Sequence, residues 1–157
     1  MGTRSLTTVI QTGKWDGKNY KHKLITMYRQ YDGYPSGMGK DLAEFLNGGK
    51  LVNGISLMNG DTSLVFNGAG CLAAQLVAHF KDGAGGFYLY KPGATNCGEE
   101  YRYEVIVDED INKPILLKVI EIGYLNAIGD YVNRAKTRFF GPVANFEAWL
   151  KKHEQEV

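Results

Sequence analysis

The sequence predicts an α+β fold: a single compact domain over residues 1–157, in which an antiparallel or mixed sheet carries about three helices. Three observations lead there. Segments of β-branched or alternating apolar character outnumber segments with helical apolar spacing. The connections between successive strand segments are too short for repeated βαβ crossovers. A chain of 157 residues can bury a core that needs no metal or disulfide support. The 20 glycines against 4 prolines add many tight turns within an ordered chain.

Each element follows in order. Leu6 to Gln11 is rich in β-branched residues and Lys23 to Gln30 alternates loosely, with Gly13, Asp16, Gly17 and Asn19 between them; the pair reads as a β-hairpin. Leu42, Ala43, Phe45 and Leu46 recur at helical spacing and Asn47-Gly48-Gly49 ends the run, predicting a first helix of about ten residues. Residues 50–66 are broken by glycines, with Ile55 to Met58 and Ser63 to Phe66 as candidate short strands or loop pieces. Leu72, Ala73, Leu76, Val77 and Phe80 form the apolar face of a second helix, with Asn67 as its cap and Asp82-Gly83 as its end. Phe87 to Tyr90, Glu100 to Asp108 and Pro114 to Gly123 read as strands, and in the second Tyr101, Tyr103, Val105 and Val107 share one face. The acidic stretch from Asp108 to Lys113 is a turn between the last two. Beyond Tyr124 the pattern blurs until Gly141-Pro142 introduces Val143, Phe146, Trp149 and Leu150, an amphipathic closing helix.

Composition excludes several classes of function. A net charge of +1 argues against a binder of extended nucleic acid, so any phosphate recognition has to be local. No segment approaches the ~18 apolar residues of a membrane span, and the first residues lack the apolar run of a signal peptide. A cytoplasmic protein with no membrane partner is expected, with Cys71 and Cys97 as free thiols. Leu6 also departs from the myristoylation pattern.

The densest chemistry lies in Tyr28 to Lys40: Tyr-Arg-Gln-Tyr-Asp-Gly-Tyr-Pro-Ser-Gly-Met-Gly-Lys. Gly39-Lys40 before a helix invites comparison with a phosphate-binding loop. The comparison fails, because five residues separate Gly33 from Gly39 where the motif needs four, and Asp41 stands where a Ser or Thr must meet magnesium. Turn and cap chemistry explains Asp32, Gly33, Pro35 and Ser36, with Ser36 or Asp41 as the helix cap. It does not explain why Tyr28, Arg29, Gln30, Tyr31 and Tyr34 crowd together. Those side chains, with backbone N–H groups at Gly37 and Gly39 and the charge of Lys40, make a candidate anion and aromatic site.

Other constellations are weaker. Cys71, Gln75 and His79 line one helix stripe, but eight residues of helix separate the thiol from the imidazole by roughly 12 Å, which rules out a direct nucleophile–base pair. Gln75 and His79 remain neighbours. The three histidines are too scattered for a metal site, and no cofactor is indicated. Asp108, Glu109, Asp110 and Asn112 resemble a calcium loop only until Lys113 and Val119 take its glycine and glutamate positions. Glu99 and Glu100 point to opposite faces of a strand and so do not form an acid–base pair. Tyr88, Tyr90, Tyr101 and Tyr103 form an aromatic stripe, half core and half surface, suited to stacking or to a protein interface.

Gly2-Thr3-Arg4-Ser5, the Tyr28 to Lys40 segment, and the blocks from Asn67 to Phe80 and from Gly85 to Tyr90 together resemble a family of small uncharacterised bacteriophage and prophage proteins. The resemblance covers about the first two-thirds of the chain, and similar sequences often carry histidine where this chain has Met38. It implies no activity, only an accessory or counter-defence context. The favoured expectation is a non-catalytic binding protein that sequesters a nucleotide-like signal or blocks a host protein through Arg4, Tyr28, Arg29, Gln30, Tyr31, Asp32, Tyr34, Lys40, Gln75, His79, Tyr88 and Tyr101. The alternatives are a small hydrolase or transferase using Asp32, Gln75 and His79 with Glu100, and a protein interaction module with an exposed tyrosine patch. A homo-oligomer is compatible with all three.

Overall fold

A computed structural model describes residues 2–54 and 64–153. The fold is α+β. In chain order the elements are β1 (Ser5–Trp15), β2 (Lys18–Arg29), α1 (Lys40–Asn47), β3 (Lys50–Val52), β4 (Val65–Asn67), α2 (Gly68–Phe80), β5 (Phe87–Tyr90), β6 (Tyr101–Asp108), β7 (Leu116–Leu125), β8 (Tyr131–Pro142) and α3 (Phe146–His153). A π-type helical turn over Pro35–Gly39 precedes α1, and a 3-10 turn over Val143–Asn145 precedes α3.

β1 and β2 form the expected hairpin, but the turn is only Asp16-Gly17, both at positive φ (51° and 73°). Such a two-residue turn matches the twist of the strands it joins, so the ladder runs through Gly13 and Asn19, which sequence places in the connection. β1 also pairs in parallel with β6, and the remaining pairs are antiparallel, giving a mixed sheet of order β5-β2-β1-β6-β7-β8. β3 and β4 form a separate parallel ladder. Ile55 to Met58 and Ser63 lie outside the described residues.

The three helices share one sheet face. Val9, Met27, Tyr103, Val105, Leu117 and Phe139 of the sheet meet Leu42, Leu72, Leu76, Phe146 and Leu150 of the helices in one buried cluster. The alternation read in β6 holds: Tyr103, Val105 and Val107 are all buried. On the opposite face the chain must cross β2 and β1 to pass from β5 to β6. Gly93 N–H donates to Thr26 Oγ1 at 2.8 Å there, and Thr26 shares a 2.8 Å hydroxyl bond with Thr8. This crossover explains why Leu6, Thr8, Thr26 and Tyr28 are buried on a face without helices.

Sequence missed β8 altogether. The strand lies at a sheet edge, carries Asn133, Arg134, Lys136, Thr137 and Arg138, and its pairing with β7 slips between Val119 and Ile120 and again between Glu121 and Gly123. Each slip resets the two-residue alternation that identifies a strand. Gly141-Pro142 ends β8 and also leads into the last helix, with Pro142 as the N-cap of the 3-10 turn that runs into α3.

The predicted caps are also corrected. Neither Ser36 nor Asp41 makes a side-chain cap: Asp41 turns to Arg29, while the N–H groups of Gly37 and Met38 donate to the carbonyls of Tyr34 and Asp32 at 2.9 and 2.8 Å. Asn67 likewise makes no cap to α2, because its Oδ1 accepts the N–H of Gly54 at 2.8 Å. Among the described residues, no helix is long and apolar enough to cross a membrane.

Candidate functional site

The Tyr28–Lys40 segment does not converge on one point. Strand geometry sends Tyr28 and Arg29 to opposite faces of β2. Tyr28 is buried on the crossover face, stacked on Tyr90 with centroids 5.0 Å apart and planes 7° apart, with Tyr88 at 6.2 Å. Arg4 lies on this face too, its guanidinium over Gly98. Tyr88 and Tyr90 are therefore separated by the sheet from Tyr101 and Tyr103, and the four do not form the single stripe that their spacing suggests.

Arg29 points under the helices. It is only 8% exposed, donates from Nη1 to Asp41 Oδ2 at 3.0 Å and to Met38 Sδ at 3.2 Å, and lies over the rings of Tyr31 and Phe87 at 4.9 and 5.2 Å. The guanidinium thus ties β2 to the start of α1. The glycines of the segment serve the same close packing. A Cβ at Gly37 would overlap the carbonyl of Asp32, one at Gly33 would meet Arg4 and Ser5, and one at Gly39 would stand 2.8 Å from Phe146. Tyr103 donates its hydroxyl to the Gly33 carbonyl at 2.6 Å. Asp32, at φ 52°, accepts from the Tyr34 hydroxyl at 3.0 Å. Gln30 and Lys40 are exposed, and Gln30 donates its N–H to Gly86.

Gln75 and His79 sit elsewhere, on the outer side of α2. Gln75 accepts from the Cys71 thiol at 3.3 Å, and the His79 ring lies on Phe45 with centroids 4.4 Å apart. Among the described residues no hydrogen bond joins His79 to Asp32 or Glu100.

What does converge is a cleft of about 420 Å³ between the Tyr34-Pro35-Ser36 turn, the start of β6, the middle of β7 and β8, and α3. Tyr101, Glu121, Arg138, Trp149 and His153 line it. Register builds it. Tyr101 stands opposite Glu121 on β7. Val119 pairs with Phe139 and Ile120 with Thr137, so Arg138 is the extra residue of a bulge. A bulge re-aims a side chain: Phe139 stays in the core while Arg138 Nη1 reaches Glu121 Oε2 at 2.7 Å.

Trp149 is held by Phe139 and Phe146, each at 5.5 Å, and by His153, stacked at 4.7 Å and 22°. His153 Nδ1 lies 2.8 Å from the Trp149 carbonyl. A carbonyl only accepts, so Nδ1 carries the hydrogen and Nε2 is the nitrogen left for other partners. Burial and the Glu121 carboxylate push the Tyr101 phenol up in pKa, against the pull of Arg138. The bond to Asp32 raises Tyr34. Both phenols are therefore neutral donors near pH 7.

Of the residues predicted for binding, Tyr34 and Tyr101 line this cleft. Sequence reasoning missed Glu121, Arg138, Trp149 and His153. Trp149 was legible only as core, and nothing in the surroundings of Arg138 in sequence marks its bulge. A larger hollow of about 700 Å³ lies at the other end of the sheet, but its carboxylates are engaged there: Glu109 accepts from Lys14 N–H and Tyr20 hydroxyl at 3.0 Å each, and Asp108 from Thr12 at 2.8 Å. Comparison of the chain with protein-family models, curated proteins and solved structures finds no match in any of the three.

Proposed function

We propose that the protein is a non-catalytic binding protein that holds a small, planar, nucleotide-like ligand in the cleft between Tyr34, Tyr101 and Trp149, as a phage-type accessory or counter-defence factor in the host cytoplasm. The observation that carries this reading is the convergence of aromatic side chains from three separate elements around the Arg138–Glu121 pair. Aromatic walls hold a flat ring, and a half-exposed guanidinium and carboxylate read its polar edge.

The test is retention. Purified protein is incubated with a cell extract, washed and denatured, and released compounds are identified by mass spectrometry. Wild type is expected to release an unchanged compound that Tyr101→Ala fails to retain. A new product would replace this reading with an enzymatic one, and equal retention by both proteins would move the site out of the cleft.

A second reading rests on the β5 edge of the sheet. β5 is an edge strand whose Tyr88, Leu89 and Tyr90 are 44%, 61% and 38% exposed, an arrangement suited to a host protein partner. Co-purification of one host protein, lost on Leu89→Lys, would support it.

A further inference from the structure

We infer that the cleft selects a guanine-type edge; the inference rests on the binding reading above and names its ligand class. Arg138 and Glu121 lie side by side, bonded at 2.7 Å, with side chains 34% and 31% exposed. A guanidinium carries five N–H donors and a carboxylate about four lone-pair positions on two oxygens, so the bond between them leaves donors free on Arg138 and acceptor positions free on both oxygens of Glu121. The pair therefore presents a donor beside an acceptor to whatever enters.

The complement of that pattern is an acceptor followed by donors. Guanine offers it along one edge, as O6, N1–H and the 2-amino group. Adenine and cytosine begin instead with an amino donor, which would face the guanidinium. Uracil has an acceptor and one N–H but follows them with a second acceptor, set against the carboxylate. Hypoxanthine keeps O6 and N1–H and lacks the amino group. Tyr34, 39% exposed, and half-buried Tyr101 supply flat apolar surface for the ring. Free base, nucleoside and nucleotide share this edge, so all three are included in the test.

Trp149 lines the cleft, and the second tryptophan of the chain, Trp15, is 80% exposed on the hairpin. A Trp15→Phe background therefore makes fluorescence report on the cleft alone. Titration with GMP is expected to change that signal, with IMP about 10-fold weaker for the lost amino contact and AMP, CMP and UMP weaker still. Guanine and guanosine compared with GMP show how much the phosphate adds. Glu121→Gln should weaken GMP by about 10-fold or more, because an amide cannot accept both donors.

Equal response to all nucleotides, unchanged in Glu121→Gln, would overturn guanine selection and leave the cleft as a general planar site. A GMP preference that survives Glu121→Gln would overturn the residue assignment. No response to any guanine compound at millimolar concentration would overturn the inference, and retention by Tyr101→Ala then decides the broader reading separately. If Glu121→Gln does not fold, the wild-type ranking and the Arg138→Gln variant decide.

Discussion

Arg29 and Arg138 each meet a carboxylate beside aromatic rings, and they are used differently. Arg29 is 8% exposed, locked to Asp41 and Met38 beneath the start of α1 and covered by Tyr31 and Phe87. Arg138 leaves about a third of its side chain in solvent, in a cleft whose other walls come from distant parts of the chain. The crowded segment thus uses its arginine to hold a helix, while an arginine from an unremarkable strand faces open space. Chemical density along a chain reports local packing as readily as it reports binding; convergence in space is the better sign of a site.

Four measurements put the contrast between the two arginines at risk. Arg29→Ala should cost about 2–3 kcal/mol in urea unfolding, since it empties a buried site between Tyr31, Phe87 and Met38 and removes the ion pair with Asp41. The value stays below that of a fully buried ion pair because Asp41 is 42% exposed and because Arg29 Nε is buried without a partner among the described residues. An unchanged urea midpoint would end the description of Arg29 as a structural tie. Gly37→Ala should cost about 2 kcal/mol, because its Cβ must displace the Asp32 carbonyl and with it the bond from Met38 N–H. Retained stability would mean that the turn is looser than its contacts indicate.

Arg138→Ala should change stability by less than about 1 kcal/mol, the ordinary value of a half-exposed pair, while removing ligand retention. A large loss of stability with retention intact would reverse the roles of the two arginines. The smallest effect is on titration. Tyr101 has a raised phenol pKa, so its contribution to stability is present below the ordinary tyrosine value near 10 and is lost as pH rises through the folded-state value. Arg138 opposes that rise, so Arg138→Ala should move the phenolate absorbance of Tyr101, isolated by difference against Tyr101→Phe, to higher pH.

Much of the frame was legible because it follows local rules. Tyr101 to Val107 alternates in sequence as it does in the sheet, because both faces of a central strand keep a period of two. α2 was readable from Leu72, Leu76 and their neighbours for the analogous reason at helical spacing. β8 was not, because an edge strand with two slips in register keeps no period. Asp41 and Asn67 were misread as caps because each found another partner, Arg29 and Gly54, and Ser36 because the turn there closes through backbone carbonyls.

The α+β class, the opening hairpin and the face of β6 that enters the core are all readable in the chain by itself. All of these depend on interactions between near neighbours in the chain. Tertiary structure alone decided that β1 would pair in parallel with β6, that Arg29 would be spent on Asp41, and that Arg138 would meet Glu121 across a bulge. Those outcomes depend on strand register and on which distant surfaces must be buried together, and no local pattern of residues records either.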